Sequence, residues 1–126
     1  MGNLLLDLAT YLIAEGHATV DGTDIFRDFM PDKPDNLIAL QEYAGTPGHA
    51  DVRSVQIMAR NTNPDTARQK AWAIFNDLDK PEDRIVYLTG TRWTLIQARQ
   101  TPFKVGVDES SRVLWGFNVA ITAARD

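Results

Sequence analysis

Cysteine is absent from the 126 residues, which removes disulfides, thiol nucleophiles and thiolate metal sites and leaves side-chain packing to hold the fold. Histidine is scarce, with His17 and His49 the whole supply. Apolar runs long enough to span a bilayer are lacking. The opening "MGNLLLDLATYLIAEG" is interrupted by Asp7 and has no basic residue before the apolar run, so it is not expected to be a signal peptide. Leu6 stands where the myristoylation pattern needs Ser or Thr, and no membrane association is expected. Excess positive charge is missing too. A formal charge of -4 with pI near 5.1 argues against general affinity for a phosphate backbone.

One short stretch, "GTPGHAD" at residues 45–51, raises the question of a nucleotide switch, because elongation-factor-type GTPases carry a similar run. Such a switch needs a glycine-rich loop ending in Lys and Ser or Thr to cradle the phosphates, and that pattern occurs nowhere in the chain. Gly45 also stands where the magnesium-directed Asp would be. The Gly, Pro, Gly cluster is therefore expected to be a strand-connecting turn.

What is present suits one domain spanning residues 1–126, with 44% hydrophobic content. Leu5, Leu8, Tyr11 and Leu12 recur at helical spacing with Gly16 as a stop, predicting an amphipathic first helix. Short runs follow: Ile25 to Met30, closed by the proline-broken "PDKPD", then Asn36 to Tyr43 and Val52 to Arg60 on either side of the turn. In the last of these, Val55, Ile57 and Ala59 alternate with Gln56, Met58 and Arg60, as in a strand with one buried face. "NPDTARQKAWAIFNDLD" predicts a helix with Asn63 as N-cap, Pro64 at its first position and Asp65 near its positive end. Its apolar stripe is Ala67, Ala71, Ile74, Phe75 and Leu78, with Arg68 on the wet side. Ile85 to Leu88, Trp93 to Arg99 and Val113 to Ile121 read as further strands, the last two joined through "VDESS" as a turn. The fold class is thus α/β of the α+β type: a mixed, mainly antiparallel sheet of about five to six strands packed with two helices.

Candidate chemistry is sparse. His17 and His49 each follow a Gly and have an Asp nearby, but their spacing matches no ligand frame, and solvated loop histidines are the expectation. Glu82 with Asp83, and Asp108 with Glu109, fall in polar turns where carboxylates are not tuned for acid–base work. "TGTR" at residues 89–92 is expected to connect strands rather than hold an anion. Ser54, Ser110 and Ser111 have no histidine at a telling spacing. The expectation is a protein with no catalytic residue, cofactor or metal.

Three segments carry a family resemblance: "MPDKPDNLIALQEYAGTPGHAD", "VQIMARNTNPDTARQKAWAIFNDLD" and "IQARQTPFKVGVDESSRVLWGFNVAI". In this order, over about a hundred residues, the chain resembles the minor capsid proteins and tail terminators of long-tailed bacteriophages. The resemblance implies a subunit of a ring, commonly a hexamer, that sits on the last ring of tail-tube protein and stops its growth. The other side of the ring would meet the head connector, and DNA would pass through the hole without specific binding. It further implies a place in the virion at the head–tail interface, reached from the host cytoplasm during assembly.

Independently of that resemblance, apolar groups left uncovered by the strand pattern mark a contact surface. Met58 on the wet side of its strand, Leu114 in phase opposite Trp115, and Phe103 in the loop "RQTPFKVG" are such groups, with the first helix as the alternative cover. Arg99 and Lys104 flank Phe103 and are the expected contact with tube protein. Two other classes stay open: a monomeric adaptor, and a small enzyme with an unrecognised site.

Overall fold

The leucine spacing at the start of the chain builds α1, Leu4–Ala14, with Leu4, Leu5, Leu8, Ala9 and Leu12 buried. Gly16, at φ 86°, takes the left-handed conformation that turns the chain away from the helix. The computed structural model describes residues 4–46, 50–79, 86–88 and 91–124. Three strands follow α1: β1 (Ile25–Arg27), β2 (Leu37–Thr46) and β3 (Ala50–Asn61). The second helix, α2, runs Pro64–Leu78, and the Asn63 carbonyl oxygen of its side chain accepts from the N–H groups of Asp65 and Thr66 at 2.9 and 3.3 Å. Four strands complete the chain: β4 (Val86–Leu88), β5 (Thr91–Ala98), β6 (Phe103–Val107) and β7 (Val113–Ala124).

All lie in one sheet, ordered β1-β2-β3-β7-β5-β4, with β6 also paired to β7. Only the β1–β2 pair is parallel among the described pairings. The fold is α+β, as the pattern of runs predicts. β2 and β3 pair from Leu37↔Arg60 to Thr46↔Val52, so the two strands flanking "GTPGHAD" form an antiparallel pair, although residues 47–49 themselves lie outside the described residues.

Three details differ from the sequence reading. The first strand stops at Arg27, because Asp28 turns to φ 70°. "RQTPFKVG" is not all loop, since Phe103–Val107 forms β6. Phe103, Val105 and Val107 do alternate with Lys104 and Gly106, but Pro102 and Gly106 are loop signals and outweighed so short a run. "VDESS" consequently joins β6, not β5, to β7, with Ser111 at φ 62°.

Both helices cover the same face of the sheet. Leu8 and Leu12 of α1, Ile74 and Leu78 of α2, and Val55, Ile57, Phe117, Val119 and Ile121 of the central strands form one buried cluster. Phe75 is half-buried and meets Phe117 edge to face with centroids 5.5 Å apart. Arg68 is exposed as expected, yet its guanidinium lies 5.9 Å above the Trp115 ring, so the wet side of α2 also contributes a contact. The first helix therefore does not cover Met58 or Leu114. They point to the other face, where Met58 packs with Phe26, Leu37, Ala39 and Met30.

The centre of that second face imposes a steric demand. Gly116 pairs with Met58, and a Cβ added there would stand 2.5 Å from the Ile57 carbonyl oxygen and 3.0 Å from Met58 Cγ. Gly116→Ala is expected to lower stability by about 1–3 kcal/mol, as overpacking does. Gly106→Ala meets nothing within 4 Å and should cost far less. Urea unfolding of both variants checks this, and equal losses would contradict the packing described.

Candidate functional site

The most heavily bonded polar cluster lies on the face without helices and is built by two arginines. Arg60 ends the pairing of β3 with β2 and is 4% exposed; Arg112 precedes β7 and is 5% exposed. Between them lies the loop "PDKPDN", whose prolines lack an N–H and whose carbonyls have no strand to pair with. Arg60 supplies the missing donors: Nη2 reaches the carbonyl oxygens of Pro31, Asp32 and Pro34 at 2.8, 3.1 and 2.7 Å, and Nε that of Asp35 at 3.1 Å. Arg112 donates to the carbonyl oxygen of Asp32 and to the carboxylates of Asp32, Asp35 and Asp108, at 3.1, 3.3 and 2.7 Å for the three side chains. Sequence reading treated this run as a strand terminator. The two arginines that hold it are far away in the chain, and no local pattern marks them.

Charge in the cluster is balanced but crowded. Burial, then the nearby Arg112 charge, pulls the Arg60 pKa down, against the acids Asp108, Asp32 and Asp35. Burial pushes the Asp108 carboxyl up, but hydrogen bonds from the Arg112 and Ser110 N–H groups and the Arg112 guanidinium outweigh it and hold the pKa below the ordinary value. A hydrogen bond from Lys33, with the Arg112 charge behind it, holds Asp35 down as well.

A second cluster joins the helices. His17 Nε2 lies 2.9 Å from Asp77 Oδ2, and the Tyr11 hydroxyl donates to Asp77 Oδ1 at 3.1 Å. The His17 side chain is 16% exposed, so it is not the solvated loop residue expected. Its partner stands sixty positions away on α2, a distance at which no motif exists. A cleft of about 330 Å³ beside it is lined by His17, Thr66, Gln69 and Lys70. Among the described residues, no three His, Asp or Glu side chains converge as metal ligands would. Asp108 accepts from Arg112, which gives one member of the Asp108–Glu109 pair a structural partner. His49, Glu82, Asp83 and residues 89–90 of "TGTR" lie outside the described residues.

The five candidate contact residues separate by environment. Met58 and Leu114 are half-buried on the helix-free face, Met58 within its apolar cluster and Leu114 in register with Arg60. Phe103 is 39% exposed on β6, and Lys104 beside it is exposed. Arg99 is exposed at the end of β5, but its guanidinium donates to the buried Ser54 hydroxyl at 2.8 Å.

The sheet thus has a helix-covered face, a second face on which the loop is clamped, and exposed apolar groups at its margins. The model of a family described as bacteriophage tail terminator protein matches residues 11–125, and the chain belongs to that family, a family of structural virion proteins. No curated protein matches the chain.

The acids give a pH prediction. Asp24, Asp35 and Asp108 all have folded pKa values below the ordinary 3.8. At Asp24, burial raises the pKa, but N–H groups of Val20 and Thr19 and the Thr19 hydroxyl outweigh it. A depressed carboxyl contributes stability above its unfolded pKa and loses it as pH falls through the folded one. Stability is expected to drop as pH goes below about 4. Asp108→Asn should be less stable than the parent at pH 7, with the gap closing towards pH 2. A gap that stays constant in thermal melts across this range would show that Asp108 does not act through its charge.

Proposed function

We propose that the chain acts as the capping ring of a phage tail: several copies close on the end of the tail tube, stop its growth and offer a different surface to the head connector. The observation that carries this reading is the family match over residues 11–125. The physical logic is geometric, because a ring that fits the tube end on one side and has no tube-like surface on the other leaves no site for another tube subunit. Growth stops by shape, without a reaction, and DNA passes through the opening without being bound. A net charge of -4 is compatible with such a passage. A hexamer is the ring size we propose. Arg99, at the end of β5, is the candidate for contact with tube protein, while exposed Phe103 and Lys104 extend the same corner of the sheet.

Particles made without this protein are expected to carry tails of uncontrolled length that fail to join heads. Purified protein added to polymerising tube subunits should arrest them at substoichiometric amounts, as read by electron microscopy. Tails of normal length joined to heads in its absence would overturn the reading and favour a monomeric adaptor or minor capsid role.

A further inference from the structure

Among the described residues, five of the seven exposed large apolar side chains stand at two opposite margins of the sheet, the other two being Leu6 on α1 and Tyr43 on β2. Val20 and Phe29 flank β1 and are 54% and 61% exposed; Phe103, Val105 and Val107 on β6 are 39–54% exposed. Near the start of β7 the strands run β1, β2, β3, β7, β6, so these groups stand at the two ends of one ladder. On the helix-free face one row of paired residues reads Phe26, Ala39, Met58, Gly116, Phe103. On the helix face the adjacent row reads Asp21, Ile25, Ile38, Ala59, Trp115, Lys104. Each row therefore ends in chemistry that complements its own beginning: aromatic with aromatic on one face, acid with base on the other.

We infer that the β6 margin of one copy docks against the β1 margin of the next, head to tail, and that this contact closes the ring. Phe103 enters the cleft of about 320 Å³ lined by Asp21, Gly22, Phe26, Arg27 and Phe29. Lys104 meets Asp21, whose carboxylate is already held by Arg27 at 2.9 Å and is 30% exposed. The contact is made by side chains rather than by strand addition, because the turn before β1 folds back on it, with the Gly22 N–H donating to the Ile25 carbonyl at 2.8 Å. Two different surfaces at opposite ends of a subunit make a heterologous contact, which generates a ring when the rotation closes. A self-complementary pair would instead stop at two copies. The occupant is thus a second copy of this chain, and the inference rests on the ring reading above.

The absence of cysteine makes the test direct. Thr23→Cys and Val105→Cys, placed beside the contact, leave Phe103, Lys104, Asp21 and Phe29 intact. With a short bis-maleimide, the double variant should give a covalent ladder beyond the dimer on denaturing gels, while each single variant stays monomeric. Adding Phe103→Asp to the double variant should abolish the ladder while its circular dichroism is unchanged. Sedimentation of the unmodified chain, alone and on tube ends, separates the two claims. If copies associate but the double variant gives no ladder, or a single variant cross-links by itself, or Phe103→Asp leaves the ladder intact, this contact is wrong and the ring reading stands. If copies associate under neither condition, both fall.

Discussion

The hydrogen bonds from Arg60 and Arg112 to the loop "PDKPDN" are the constraint on which the rest of the molecule depends. A sheet with helices on one side leaves apolar groups on the other, here Phe26, Leu37, Ala39 and Met58. Covering them with a proline-broken loop leaves carbonyl oxygens that no strand can satisfy. Arg60 meets four of those oxygens with one planar group, which a lysine ammonium would not reproduce in that geometry. Arg112 adds the acidic side chains of the loop and ties them to the turn before β7 through Asp108. Two like charges at close range would be costly in isolation, and the three aspartates offset them.

The margins of the sheet carry exposed apolar groups that neither the helices nor the clamped loop buries. Exposed edges are a hazard unless a partner or a covering segment uses them. In this chain β1 is sheltered by its own turn, held by four hydrogen bonds to the Asp24 carboxylate from Thr19 and Val20, while β6 presents apolar side chains on an irregular strand. The family is that of bacteriophage tail terminator proteins. Packing fixes the shape, shape fixes which surfaces meet, and the proposed arrest of tube growth follows from the last of these.

The elements were legible where local rules act alone. Asn63, Pro64 and Asp65 announced α2 because capping is a matter of three adjacent residues. The alternation of Val55, Ile57 and Ala59 announced β3 because one face is buried along its middle. β6 escaped because Pro102 and Gly106 read as loop signals, although Phe103, Val105 and Val107 keep a two-residue alternation over five positions. His17 was misjudged for a different reason: its partner Asp77 is brought to it because both helices lie on one face of the sheet, a relation that spacing does not encode. The arginine clamp was invisible on the same ground. Arg60 sat at the end of a strand pattern and looked like a solvent-facing charge, whereas burial against backbone carbonyls is decided by where a distant loop folds. The family was legible from the order of three segments, although the contact residues named from exposure alone were a mixture of half-buried and free positions.

Hydrogen exchange on Arg60→Met tests the central claim, that the clamp closes the helix-free face, most directly. The Asp28 N–H bonded to the Leu40 carbonyl and the Ile38 N–H bonded to the Asp24 carbonyl lie beside the clamped loop. Losing charge-assisted bonds worth about 1.5–3 kcal/mol each should speed exchange at both amides by roughly ten- to a hundredfold, while amides within α2 keep their protection. Unchanged exchange at Asp28 and Ile38, or a uniform increase through α2, would contradict the account.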